Sequence, residues 1–193
     1  MNKTFMSRLK RLVLKQKAVI AIIAMCLLML FFKTSFYTSY NWLNMLRSAA
    51  VQEIIGFGVT IAVLCAACDL SVGGTMCLSG VVAVLMMNAG IAMPLAILVG
   101  ILSGVVTGFI NGFLVVHQKT EPFIITLGMG MLLKGICQQL TDAHPTACKN
   151  PQFMLISNSK FFGQVPSLVI YMLVLFVVFF LLMRFTSFGR NCY

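Results

Sequence analysis

The chain has 193 residues, 60% hydrophobic and 9% charged, and a mean hydropathy of +1.00. About a quarter of the residues in soluble globular domains are charged, so the composition excludes an ordinary soluble domain and points to an integral membrane protein with several spans. The net charge of +10 does not make it a nucleic-acid binder: six of the 14 Lys and Arg (Lys3, Arg8, Lys10, Arg11, Lys15, Lys17) precede the first apolar run, where the positive-inside rule puts cytoplasmic charge.

Residues 1–17 read as a basic cytoplasmic tail able to lie along anionic headgroups. A basic stretch ahead of Ala18 to Phe32 also fits a signal peptide, but Lys33-Thr34-Ser35-Phe36-Tyr37 is bulky where a cleavage site needs small residues. The reading is therefore a retained first span, from about Ala18 to Phe36, with Lys33 snorkelling outward. Tyr37, Tyr40 and Trp42 read as an interfacial aromatic belt, with a sugar-stacking surface as the alternative.

From Ser48 to Val116 the sequence contains no Lys or Arg and only two acids, Glu53 and Asp69. A helix needs roughly 20 residues to cross a bilayer, so this run crosses about three times. The second span is read from Leu46 to Ala67, with Gln52 and Glu53 as an interfacial or interhelix pair. Asp69-Leu70-Ser71-Val72-Gly73-Gly74 interrupts it, placing a helix break near residues 68–74. The third span follows from Thr75 to Asn88, and Asn88-Ala89-Gly90 makes the turn. The fourth runs from Pro94 to Val116. It carries Gly100, Gly104, Gly108 and Gly112, a small-residue stripe read as a face for close helix packing.

His117 to Glu121 is a short polar loop, and Pro122 opens the fifth span, Phe123 to Leu140. Its Thr126, Gly128, Gly130 and Lys134 suit a helix shielded by others. Thr141 to Gln164, broken by Pro145, Pro151 and Gly163, reads as an external loop with one short helix. The sixth span, Val165 to Met183, ends at Arg184 and Arg190. The predicted fold is an all-α polytopic transmembrane bundle of about six spans. An even number returns those arginines to the side of the basic tail.

Asp69 is the residue whose chemistry stands out. An intramembrane carboxylate is costly and faces a cavity or a partner. Asp69 and Ser71 also have the short polar side chains that cap a helix amino end. Two readings follow: a break pinned beside a translocation path, and a purely structural cap. The seven cysteines are scattered; Cys65 and Cys68 have metal-like spacing, but with no second pair or nearby histidine they read as buried reduced thiols on one helical face. No phosphate-binding loop, catalytic triad or carboxylate pair occurs, so neither enzyme, metal nor cofactor is expected, and nucleotide binding belongs to a partner.

These residues also carry a family likeness. Asp69-Leu70-Ser71-Val72-Gly73, Leu78-Ser79-Gly80, Asn111-Gly112, Pro122-Phe123-Ile124 with Thr126-Leu127-Gly128, Leu140-Thr141, and Thr186-Ser187-Phe188-Gly189-Arg190 with Tyr193 form an ordered series from about residue 40 onward. The series resembles the membrane permease subunit of bacterial ABC importers for ribose and related monosaccharides. The resemblance implies a permease domain over 18–193 in a bacterial plasma membrane, translocating a sugar from an extracytoplasmic binding protein. It also implies a second permease copy or homologue and cytoplasmic ATP-binding subunits that hydrolyse ATP. Path or helix-break candidates are then Asp69, Ser71, Gly73, Asn111, Thr126 and Gly128. The family's chain continues past this point into a coupling helix, so the sequence reads as its amino-terminal part. Ala66-Ala67-Cys68 stands where a glycine commonly precedes the aspartate, and Lys119-Thr120-Glu121 and Asp142-Ala143-His144-Pro145 are also atypical. Branched-chain amino acids, nucleosides and signalling furanoses remain open as solutes. A non-transporting membrane subunit and a secondary carrier coupled through Asp69 are the other readings.

Overall fold

The computed structural model describes residues 17–192 apart from 33 and 162–164. The basic tail through Gln16, Lys33, Gly163 and Tyr193 lie outside the described residues. The helices are α1 (Lys17–Phe32), α2 (Ser39–Leu64), α3 (Val72–Asn88), α4 (Met93–Gln118), α5 (Pro122–Leu140), α6 (Pro151–Asn158), α7 (Ser167–Phe185) and α8 (Ser187–Cys192), with a 3-10 turn at Thr34–Tyr37. The strands among the described residues are β1 (Lys160–Phe161) and β2 (Val165–Pro166), a two-residue antiparallel pair inside the loop after α6. The all-α bundle expected from the apolar runs is what forms. Among the described residues four helices, α2, α4, α5 and α7, are long and apolar enough to cross a membrane, while the stretch Val19–Met29 of α1 and the whole of α3 are apolar but shorter.

The chain divides into two compact units, one ending at Leu46 and one beginning at Arg47. In the first, the Phe36 ring meets Tyr37 and Trp42 edge-on at 5.1 and 5.9 Å, and the Tyr37 hydroxyl donates to the Cys26 carbonyl. Helix α2 starts at Ser39, not Leu46. Tyr40 and Trp42 therefore sit in its first turns.

In the second unit, α3 packs against α4 on one side and α5 on another. The α3/α4 contact is built on absent side chains. A Cβ on Gly100 would lie 2.8 Å from the Ser79 carbonyl oxygen, and one on Gly104 3.2 Å from the Ser79 hydroxyl. Ser79 and Ser103 hydroxyls meet across the seam at 3.2 Å. The expected stripe does not continue, because Gly108 and Gly112 have no atom within 4 Å of a Cβ position. A strict four-residue repeat on a 3.6-residue helix drifts by about 40° per step, so by Gly108 the glycines have rotated off α3. The face that stays on α3 is Ala96, Gly100, Thr107 and Asn111.

A second layer closes one end of this bundle. Asn88 donates to the Ala147 carbonyl at 3.0 Å and accepts from the Lys149 N–H at 2.9 Å, folding the loop back over the α3/α4 turn. Asn150 caps α6 by accepting from the N–H groups of Gln152 and Phe153. Phe153 packs on Ala83, Met87 and Ala96. At the other end of α6 the Arg47 guanidinium donates to the Ser157 carbonyl at 2.9 Å, to the Ser157 hydroxyl at 3.2 Å and to the Asn158 side-chain oxygen, while the Ser167 hydroxyl donates to the Ile156 carbonyl at 2.7 Å. A cation at a helix carboxy terminus is where the dipole favours it. Helix α7, by contrast, is apolar around its circumference, with Leu173, Val174 and Val177 each about half exposed. That surface suits hydrocarbon, where every backbone polar group is already satisfied within the helix.

Candidate functional site

At the polar break, buried side chains of α4 and α5, Asn111 and Thr126, hydrogen-bond to the segment between α2 and α3. Helix α2 ends at Leu64 and α3 starts at Val72; the residues between are non-helical, with Ala66 in the left-handed region at φ 55°. Helix α3 has 17 residues against 26 in α4, which makes it about 13 Å shorter. Asn111 of α4 is level with Ser71, and Gln118 lies about 10 Å further on. The break is thus recessed from the end of α4, and backbone groups so placed in a membrane-spanning bundle need protein partners.

Those partners come from side chains. Thr126, on the first turn and a half of α5, accepts from the Leu70 N–H at 3.1 Å. Its hydroxyl lies 3.0 Å from the Cys68 carbonyl and 2.9 Å from the Pro122 carbonyl, and its single proton serves one of them at a time. Asp69 accepts from the N–H and hydroxyl of Ser71 through one oxygen, at 2.8 and 2.7 Å. The Ser71 hydroxyl in turn accepts from the Asn111 amide at 2.7 Å. Ser71, Asn111 and Thr126 are 1, 6 and 4% exposed, and the Asn111 Oδ1 has no partner among the described residues.

This geometry changes the capping expectation. Ser71 occupies the position before α3, but its side chain makes no bond to the first-turn N–H groups, because the hydroxyl is committed to Asp69 and Asn111. Asp69 braces the turn instead. Close approach of α5 completes the corner: a Cβ on Gly74 would lie 2.8 Å from the Gly130 carbonyl oxygen, and one on Gly130 3.3 Å from the Leu70 carbonyl oxygen. Of the predicted residues, Asp69, Ser71, Asn111 and Thr126 are joined in this network. Gly73 and Gly128 are not; both are exposed, with nothing within 4 Å of a Cβ position.

Two further expectations are corrected. Cys65 and Cys68 are exposed in the turn after α2 rather than buried on a helical face, because the helix stops before reaching them. Helix α5, expected to be shielded by other spans, is mostly exposed, Lys134 included. Lys134 stands on an open furrow between α3 and α5 that was not anticipated. The furrow consists of two cavities of about 400 and 390 Å³ that share Cys77 and Lys134. The signal was available: Gly73, Cys77 and Gly80 on α3, and Lys134 and Gln138 on α5 with Thr141 just past its end, recur at three- and four-residue steps. No group of three or more metal-ligating side chains occurs among the described residues.

Comparison with known proteins adds the family. A family model described as branched-chain amino acid transport system / permease component matches residues 41–193. The chain is 38% identical over 161 residues to the ribose import permease protein RbsC of Bacillus subtilis, covering 82% of this chain and 50% of that one. Against RbsC of Haemophilus influenzae it is 30% identical over 195 residues, covering 100% and 60%. Against the D-allose transport system permease protein AlsC of Escherichia coli it is 35% identical over 159 residues, covering 82% and 48%. The chain spans about half to three fifths of the length of these relatives. No solved structure matches it. With the match running through the break, the glycine seam and all the long apolar helices, this multi-pass membrane chain belongs to the branched-chain amino acid transport system / permease component family.

Proposed function

We propose that the chain is the membrane-spanning permease subunit of an ATP-driven importer in a bacterial plasma membrane, and that it translocates a monosaccharide delivered by an extracytoplasmic binding protein. The observation that carries this reading is the likeness, over most of the chain, to a ribose import permease and a D-allose transport system permease. Hydrolysis belongs to cytoplasmic ATP-binding subunits, and a second permease copy or homologue completes the pore. The amino terminus is cytoplasmic, in keeping with six basic residues ahead of the first apolar run. In this orientation the Asp69 break lies toward the cytoplasmic side and α6 lies outside.

Asp69, Ser71, Asn111 and Thr126 hold the break in this reading, and Gly73 and Gly128 leave open space beside it. Uptake of radiolabelled ribose, allose and fructose by cells expressing the complete transporter, with Asp69→Asn alongside, tests it. ATP-dependent accumulation of one of these sugars is expected, with accumulation lost in Asp69→Asn at unchanged protein level. If Asp69→Asn removes the protein from the membrane, the carboxylate serves the fold alone. The family description favours one second reading, branched-chain amino acids; leucine uptake without sugar uptake would overturn the sugar assignment.

A further inference from the structure

We propose that the furrow between α3 and α5 is this chain's wall of the solute path, and that Lys134 makes it selective against cations. The inference rests on the permease reading and adds where the solute runs and what charge it can carry. One cavity reaches from Cys77 and Lys134 to His144 and Thr146, in the loop after α5. The other reaches from the same two residues to Leu70, at the helix break. Joined at Cys77 and Lys134, they follow α3 from Gly73 to Val84.

The walls differ from a lipid-facing surface. Helix α7 turns leucine, valine and phenylalanine outward all round. Along the furrow, α3 offers Gly73, Cys77 and Gly80 beside the apolar Val81 and Val84, and both glycines have nothing within 4 Å of a Cβ position. Helix α5 offers Lys134 and Gln138, with Thr141 at its end. Lys134 makes no hydrogen bond or ion pair among the described residues. An unpaired ammonium within an apolar helix is costly against lipid and suits a water-filled cavity. The amide, hydroxyl and ammonium suit a hydroxyl-rich solute, neutral or anionic. The buried network at Asp69 then borders the inner end of the route without lining it, since Ser71, Asn111 and Thr126 are closed off from solvent.

Native Cys77, exposed at the junction of the two cavities, supplies the probe. Membrane vesicles containing the complete transporter are treated with anionic or cationic membrane-impermeant methanethiosulfonates, and modification of Cys77 is quantified by mass spectrometry. The reference is a Val177→Cys variant on the outward face of α7. Cys77 should react at least roughly tenfold faster than the α7 position, as a wet cleft should against lipid. After correction for reagent reactivity, the anionic reagent should be preferred by a similar factor, the field of a lined cleft raising local counter-ion concentration by at least about tenfold, and Lys134→Gln should abolish the preference. Equal slowness at both positions overturns the path, and a preference unchanged in Lys134→Gln overturns the charge filter. A dry furrow in vesicles that still take up sugar on ATP sinks this inference and leaves the importer reading standing. A wet, charge-selective furrow in vesicles that take up none of the tested solutes does the reverse.

Discussion

Neighbouring glycines at the start of α3 should respond to the same substitution with opposite sign. Gly73 and Gly74 are both in the first turn, so replacing either by alanine brings a similar gain in helix propensity, up to about 1 kcal/mol. At Gly73 the new methyl enters open space, and that gain is the whole effect. At Gly74 the methyl would lie 2.8 Å from the Gly130 carbonyl oxygen, 3.1 Å from the Leu133 Cβ and 3.2 Å from the Gly130 Cα. Two of these atoms are backbone and cannot rotate away. Ordinary contact begins at 3.4 Å, so α3 and α5 must part by about 0.6 Å, enough to forfeit a quarter or more of each dispersion contact along the seam. Overpacking of this kind costs about 1–3 kcal/mol. Gly74→Ala should be destabilising despite the propensity gain, and should fall below Gly73→Ala by about 1–3 kcal/mol. Reversible unfolding in mixed micelles, titrated with denaturing detergent and followed by circular dichroism, measures the difference. Equal stabilities would refute the account of the α3/α5 corner.

The same seams give further expectations. Thr126→Val keeps the shape but strips the partner from the Leu70 N–H; a loss of about 1–3 kcal/mol should appear in the same titration, with faster amide exchange at Leu70. Arg47→Met removes the cation from the carboxy end of α6, and a penalty of about 1–2 kcal/mol should show as protease cleavage confined to the stretch from Thr146 to Asn158. Gly100→Leu should abolish stable expression while Gly108→Leu is tolerated, since only the first faces the Ser79 backbone. Detergent-solubilised yield and a monodisperse size-exclusion profile report that contrast.

The break illustrates how much of the site was legible. An acid and a serine ahead of two glycines in apolar sequence announce an interruption, because a carboxylate and loose backbone need partners in hydrocarbon. The partners themselves sit 40 and about 56 residues away, at Asn111 and Thr126. Family likeness pointed to both positions, but no local rule says that their side chains meet Ser71 and Leu70. The same limit explains the Ser71 hydroxyl, which local preference assigns to the helix N–H groups and which distant Asn111 engages instead.

The sequence by itself determined the class of molecule and its main elements. Few charges and long apolar runs can bury their backbone in lipid only as helices, and Gly90 and Pro122 mark turns by their own stereochemistry. Tertiary structure decided which faces meet. Four glycines at equal spacing look alike in the sequence, yet helical rotation keeps Gly100 and Gly104 on α3 and carries Gly108 and Gly112 away. It also decided that Lys134 stands open, since exposure depends on what α3 and α5 leave between them. In a membrane, apolar surface faces lipid or protein at similar cost, so hydrophobicity fixes the helices but leaves their packing to close contacts and to a few hydrogen bonds between distant residues.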